Sequence, residues 1–168
     1  MANDSWMTPP SIIESAREAM GSINTDPASN ELAQQIVKAD RYFTKEMSGL
    51  SGGWTGNVWL NPPYSRGNME PFLERLVYFY LWNHVEQAVI LTNTVYTSQW
   101  WRRTSVSDYA TAYCLPHERI SFIDSVTMEP QKGNDRDQLI TYVGRNPEKF
   151  CEAFFKHGSC SVVYRPKF

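Results

Sequence analysis

The chain has 168 residues, a formal net charge of −2, and 42% hydrophobic with 14% aromatic residues. That length suits one packed domain, residues 1–168, and its apolar content excludes a disordered chain. Near-neutral charge excludes a broadly basic surface, so any contact with a polyanion must come from a local patch. The start, residues 1–10, lacks the basic and apolar regions of a secretion signal, and no apolar run is long enough for a membrane span. A cytoplasmic protein is therefore expected. Cys114, Cys151 and Cys160 lack metal-ligand spacing, and their odd number predicts reduced thiols and no metal.

Taken in chain order, residues 9–21 read as a helix. Pro9 and Pro10 bracket its start, Ser11 with Glu14 fits a capping box, and Gly21 ends it. A short strand over 22–25 runs into a turn at Asp26-Pro27, and residues 29–40 have helical spacing behind a cap at Ser29 or Asn30. After a Gly- and Ser-rich loop over 49–56, residues 57–60 form a short apolar strand stopped by two prolines. Residues 69–82 read as a helix, and 87–92 as a central parallel strand because its apolar run is unbroken. Another helix is expected over 98–104, then strands at 110–115, 119–123, 138–143 and 160–164, with a polar loop over 129–137. The pattern predicts an α/β domain whose parallel sheet ends in an antiparallel C-terminal portion. Asp26 and Asn61 each follow a strand, so both should face the crevice beyond the strands' carboxyl ends.

Asn61-Pro62-Pro63-Tyr64 carries the clearest chemistry. An exocyclic amine conjugated to a ring is a poor nucleophile because its lone pair is delocalised. Two acceptors for its hydrogens draw the nitrogen toward tetrahedral geometry and free that pair. The Asn61 side-chain oxygen is one such acceptor, and the Pro62 carbonyl, held by Pro62 and Pro63, is the other. Tyr64 supplies a face for a planar base, which in a duplex must first be flipped out.

Val58 to Tyr64 resembles the catalytic motif of amino-group methyltransferases. With Trp6-Met7-Thr8-Pro9, Asp26-Pro27-Ala28-Ser29, Tyr42-Phe43-Thr44, Gly49-Leu50 and residues 133–138, the chain resembles the phage and prophage DNA N-6-adenine methyltransferase (Dam-like) family over nearly its whole length. The resemblance implies a Rossmann-like, S-adenosylmethionine-dependent methyltransferase sheet, reduced in size. It also implies S-adenosyl-L-methionine as cofactor and adenine in double-stranded DNA as acceptor. A phage origin would put the protein in the host cytoplasm.

By the same resemblance, Trp6, Thr8 and Pro9 lie against the methionine part of the cofactor, where a helix N-terminus suits a carboxylate. Asp26, Pro27, Ala28 and Ser29 follow the first strand, and Asp26 can hold the methionine amine. Ala28 and Ser29 stand where such enzymes usually have a Gly-rich turn. Asp40 or Glu46 is the candidate for the ribose, Phe43 for the cofactor adenine, and Asn61 reaches the cofactor as well as the base. Asn93, after the strand at 87–92, should face the same crevice.

Arg66, Arg102 and Arg136 are the chosen phosphate contacts, with Arg103, Arg119 and Lys132 as further candidates. The chain has no room for a separate target-recognition domain. Short or relaxed sequence specificity is expected, or reading by a second subunit, as in a homodimer. The same motif chemistry also serves methyltransferases of RNA adenine or protein glutamine, and a decayed nucleic-acid-binding relative would keep the motif without the activity.

Overall fold

The computed structural model describes residues 6–65, 67–94, 99–131, 134 and 136–166, with Trp100 described by its backbone alone. In chain order these form β1 (Trp6–Met7), α1 (Pro10–Met20), β2 (Thr25–Asp26), α2 (Glu31–Val37) and β3 (Arg41–Tyr42). There follow β4 (Gly56–Leu60), α3 (Met69–Leu81), β5 (Val85–Asn93), α4 (Gln99–Arg103) and α5 (Val106–Tyr109). The last elements are β6 (Ala110–Pro116), β7 (Ile123–Asp124), β8 (Gln138–Val143), α6 (Pro147–Phe154) and β9 (Gly158–Val162).

Helix α1 forms because Ile12, Ile13, Ala16, Ala19 and Met20 recur on one face, which is buried. Pro10 opens it, and the Pro9 carbonyl accepts the Ile12 and Ile13 N–H groups at 3.1 and 3.4 Å. The capping box expected from Ser11 and Glu14 does not form: Ser11 lies inside the helix, and Glu14 pairs with Arg17 at 3.4 Å. Gly21, at φ +87°, closes the helix as expected, in a conformation that costs glycine little. The helix expected over 29–40 is confined to α2. Asn30 caps it by accepting from the Ala33 N–H at 2.8 Å, and Lys38 ends it at φ 48°. The helix over 98–104 is interrupted at Ser105, φ 59°, and resumes as α5.

Four elements went unforeseen: β1, β3, α5 and α6. Helix α6 has Pro147 at its first turn and buries Phe150, Ala153 and Phe154, a spacing that was legible but short. Strand β3 has two residues and no alternation to read.

The main sheet runs β3-β2-β4-β5-β8-β6-β9. Strands β3, β2, β4 and β5 pair in parallel, while β8 is antiparallel to both β5 and β6, and β9 to β6. This is a mixed α/β sheet with the expected antiparallel C-terminal portion. Val58, Leu60, Ala88 and Ile90 face one core with Leu73 and Leu76 of α3. Trp59, Val89 and Leu91 face the other, with residues of α1 and α6. Burial on both faces explains the unbroken apolar run of β5. Cys114 and Cys160 stand opposite each other on β6 and β9, and all three cysteines are free thiols. Among the described residues, no helix is long and apolar enough to cross a membrane.

The topology fixes where a ligand can sit. From β2 the chain moves outward to β3, then returns to β4 on the other side of β2. Connections leaving in opposite directions open a crevice beyond the carboxyl ends of β2 and β4. The opposite end of the sheet is closed by side-chain amides. Gln87 donates to the Met20 carbonyl at 3.1 Å and to Asn57 Oδ1 at 3.0 Å, and the Tyr142 hydroxyl donates to Gln87 Oε1 at 2.6 Å.

Candidate active site

A cleft of about 870 Å³ occupies that crevice, and its wall includes Asp26, Asn61 and Asn93. These are the last residue of β2, the residue after β4 and the last residue of β5. Sequence reasoning thus placed all three at the right end of the sheet. Pro62 and Pro63 stop β4 and turn the chain along the cleft, so Asn61 to Tyr64 line it as a unit. The ribbon of β1 and β7 forms a further wall through Trp6 and Thr8, and Phe122 joins them from the residue before β7.

The Asn61 amide is held at one end only. Its Nδ2 donates to Thr8 Oγ1 at 3.2 Å, while its Oδ1 is buried with no hydrogen-bond partner. Among the described residues no hydrogen bond reaches the Pro62 carbonyl either. An unpaired buried acceptor is costly, and native proteins keep few of them. The Tyr64 hydroxyl donates to the Leu91 carbonyl at 3.1 Å, and its ring meets Phe122 edge-on, centroids 6.4 Å apart. Burial pushes the Tyr64 phenol well above its usual range, so it stays a neutral donor. Trp6 stacks on Phe122 at 5.9 Å, completing an aromatic wall. Phe122 was not foreseen as a site residue. As the apolar residue next to a two-residue strand, it carried no signal beyond its aromaticity.

On the other side of the cleft, Asp26 is 2% exposed. Its Oδ1 accepts from the Ala28 N–H at 3.3 Å and its Oδ2 from Gln34 Nε2 at 2.8 Å. Gln34 also donates to Ser29 Oγ at 2.8 Å. Burial pushes the Asp26 carboxyl up to about 7, and hydrogen bonds from Ser29, Ala28 and Gln34 hold it from going higher. Among the described residues Asp26 has no ion-pair partner. Pro27, Ala28 and Ser29 line the cleft beside it.

The Gly-rich turn absent after β2 has a counterpart in space, at Gly49. A Cβ there would run into the Pro27 carbonyl, so only glycine lets the loop before β4 close on this wall. The loop is pinned by Trp54, whose buried indole N–H donates to the Gly49 carbonyl at 2.8 Å. We expect Gly49→Ala to displace this loop, lower the melting temperature by several degrees (~1–3 kcal/mol) and weaken cofactor binding. Calorimetry on both proteins checks it; unchanged stability and binding would show that the loop adapts.

Four expected cofactor residues lie outside the cleft lining. Asp40 precedes β3, at the end of the sheet opposite the cleft, and accepts from Asn24 Nδ2 at 2.7 Å. This acid stands before β3 rather than after it, and beyond the strand's carboxyl end Thr44 and Lys45 line the cleft instead. Glu46 is exposed and does not line the cleft. Phe43 is buried in the α3-side core, with its ring against Gly52 and the Arg41 guanidinium 4.9 Å from its centroid. Pro9 lies behind Thr8 as the cap of α1. Because Pro9 and Pro10 have no N–H and Pro9 takes those of Ile12 and Ile13, this helix end has few donors left for a carboxylate.

Of the basic candidates, Arg136 is exposed and lines the cleft. Arg102 is exposed on α4, outside the cleft lining. Arg103 pairs with Glu70 at 3.2 Å and Arg119 with Asp137 at 2.9 Å. Arg66 and Lys132 lie outside the described residues. Among the described residues no cluster of His, Cys, Asp and Glu is arranged to hold a metal ion.

Comparison with known sequences bears on the same residues. No curated protein matches the chain. A family model does, that of the DNA N-6-adenine-methyltransferases (Dam), over residues 1–163. That span includes every residue of the cleft, and the chain belongs to the DNA N-6-adenine-methyltransferase (Dam) family.

Proposed function

We propose that the protein transfers a methyl group from S-adenosylmethionine to the N6 amino group of adenine in DNA. One observation carries the reading: Asn61 Oδ1 is buried in the cleft without a partner, next to a Pro62 carbonyl that no described residue bonds. Two fixed acceptors on consecutive residues suit the two hydrogens of an exocyclic amine, and family membership identifies that amine with adenine N6.

Asn61 and Pro62 bind and orient the amine, drawing its nitrogen out of conjugation. Tyr64, fixed by its bond to Leu91, gives the base a face to lie on. The cofactor wall fits a cationic amino acid end, since Asp26 is a buried carboxyl with no ion-pair partner among the described residues. Asp26 would hold that amine, with Pro27 to Ser29 and Trp6 along the rest of the molecule. When bound, S-adenosylmethionine would supply an electrophilic methyl group, with Asn61 and Pro62 holding the N6 amine toward it and the amine's displaced proton passing to solvent. Arg136 and Lys45, on the cleft wall, suit phosphates.

The test is methyl transfer from labelled S-adenosylmethionine to duplex DNA, RNA and protein in parallel, with digestion to identify the methylated nucleoside. N6-methyldeoxyadenosine is expected; label in RNA or protein alone would overturn the proposal.

A further inference from the structure

We infer that Thr8 is the positioning residue that holds the Asn61 amide in place with its oxygen left open. The inference rests on the reading of Asn61 as an acceptor for the substrate amine. A primary amide has two ends of nearly equal size, so shape alone does not choose between them. Only one orientation is useful here: the oxygen must point to the cleft.

Thr8 Oγ1 accepts from Asn61 Nδ2 at 3.2 Å, which holds the nitrogen end away from the position of Oδ1. The bond to Nδ2 leaves Oδ1, the buried end without a partner, for the hydrogens of a substrate amine. Thr8 can hold the amide because it is itself fixed. It is 6% exposed, follows β1, which is paired with β7, and precedes the proline that caps α1. This gives Thr8-Pro9 a different task from the one expected of it. The helix behind it offers a carboxylate few donors, whereas the hydroxyl reaches the group that handles the acceptor amine.

The two tasks separate experimentally. Thr8→Val keeps the shape and removes the acceptor; Thr8→Ser restores it. For methylation of duplex DNA we expect Thr8→Val to lower kcat about tenfold or more with the KM for S-adenosylmethionine little changed, and Thr8→Ser to recover most of the loss. Should the valine variant fail to fold, Thr8→Ala carries the same expectation. A second measurement does not depend on turnover. In 15N-labelled protein the Asn61 side-chain amide signal, assigned by its absence in Asn61→Ala, should exchange slowly in the parent and in Thr8→Ser, and quickly in Thr8→Val.

An unchanged amide signal in Thr8→Val overturns the inference, as does a raised cofactor KM with kcat retained. A parent protein that methylates no adenine sinks the functional reading instead, and the amide signal still decides whether Thr8 holds Asn61.

Discussion

Asn61→Ala is expected to reduce methyl transfer by about 10²–10³-fold, the usual effect of removing one preorganised group that stabilises a transition state. Cofactor affinity should stay within about threefold, since the amide oxygen acts on the base. The substitution also frees Thr8 Oγ1 from its bond to Nδ2, so a small loss of stability should accompany it. Single-turnover methylation, with calorimetric titration of the cofactor on the same preparation, separates the effects. Transfer at the parent rate would remove the central role given to Asn61. A collapse of cofactor binding would move that role to the other half of the cleft.

The second large effect concerns Asp26 and pH. Its carboxyl is raised from 3.8 to about 7 by burial. The folded state therefore binds a proton more tightly than the unfolded chain. Asp26's contribution to stability is fully present below about 3.8 and is lost as pH rises through about 7. A cationic ligand has the opposite preference, because it needs the ionised carboxylate. Cofactor affinity should thus climb as pH rises through about 7, then fall as the ligand's own amine deprotonates near roughly 8.

Asp26→Asn should remove the rising limb and weaken binding at its optimum by about 10–100-fold, while making the ligand-free protein more stable under alkaline conditions. Titrations of S-adenosylmethionine and of 5′-methylthioadenosine, which lacks the amine, over this pH range check it. Equal affinity of both proteins for S-adenosylmethionine at every pH would exclude Asp26 as the amine's partner.

The expected residues that the structure brings to the cleft share a cause. Asn61 stands where an apolar strand stops and Asp26 where a short strand meets Pro27, and a strand's end is a local property. Proline pairs, helix spacing and the apolar run of β5 are likewise written in short windows. The expected residues that lie outside the cleft depended on position along the sheet. Asp40 has suitable spacing for a ribose, yet β3 begins only after it, so this acid stays at the far end. Phe43 sits in a motif beside the cleft, but its ring turns into the core because Gly52 leaves a space there. Helix α6 has a readable face that only its packing against α1 makes decisive.

The Asn61-Pro62-Pro63-Tyr64 turn, its place at the end of a strand and the α/β class were thus determined by the sequence itself, since each rests on neighbours in the chain. The partner that holds the Asn61 amide was decided only in three dimensions: it is a threonine 53 positions away. The same holds for the proton affinity of Asp26 and the glycine that closes its wall. Both arise from burial and close approach between segments, and no local window contains the partner that produces them.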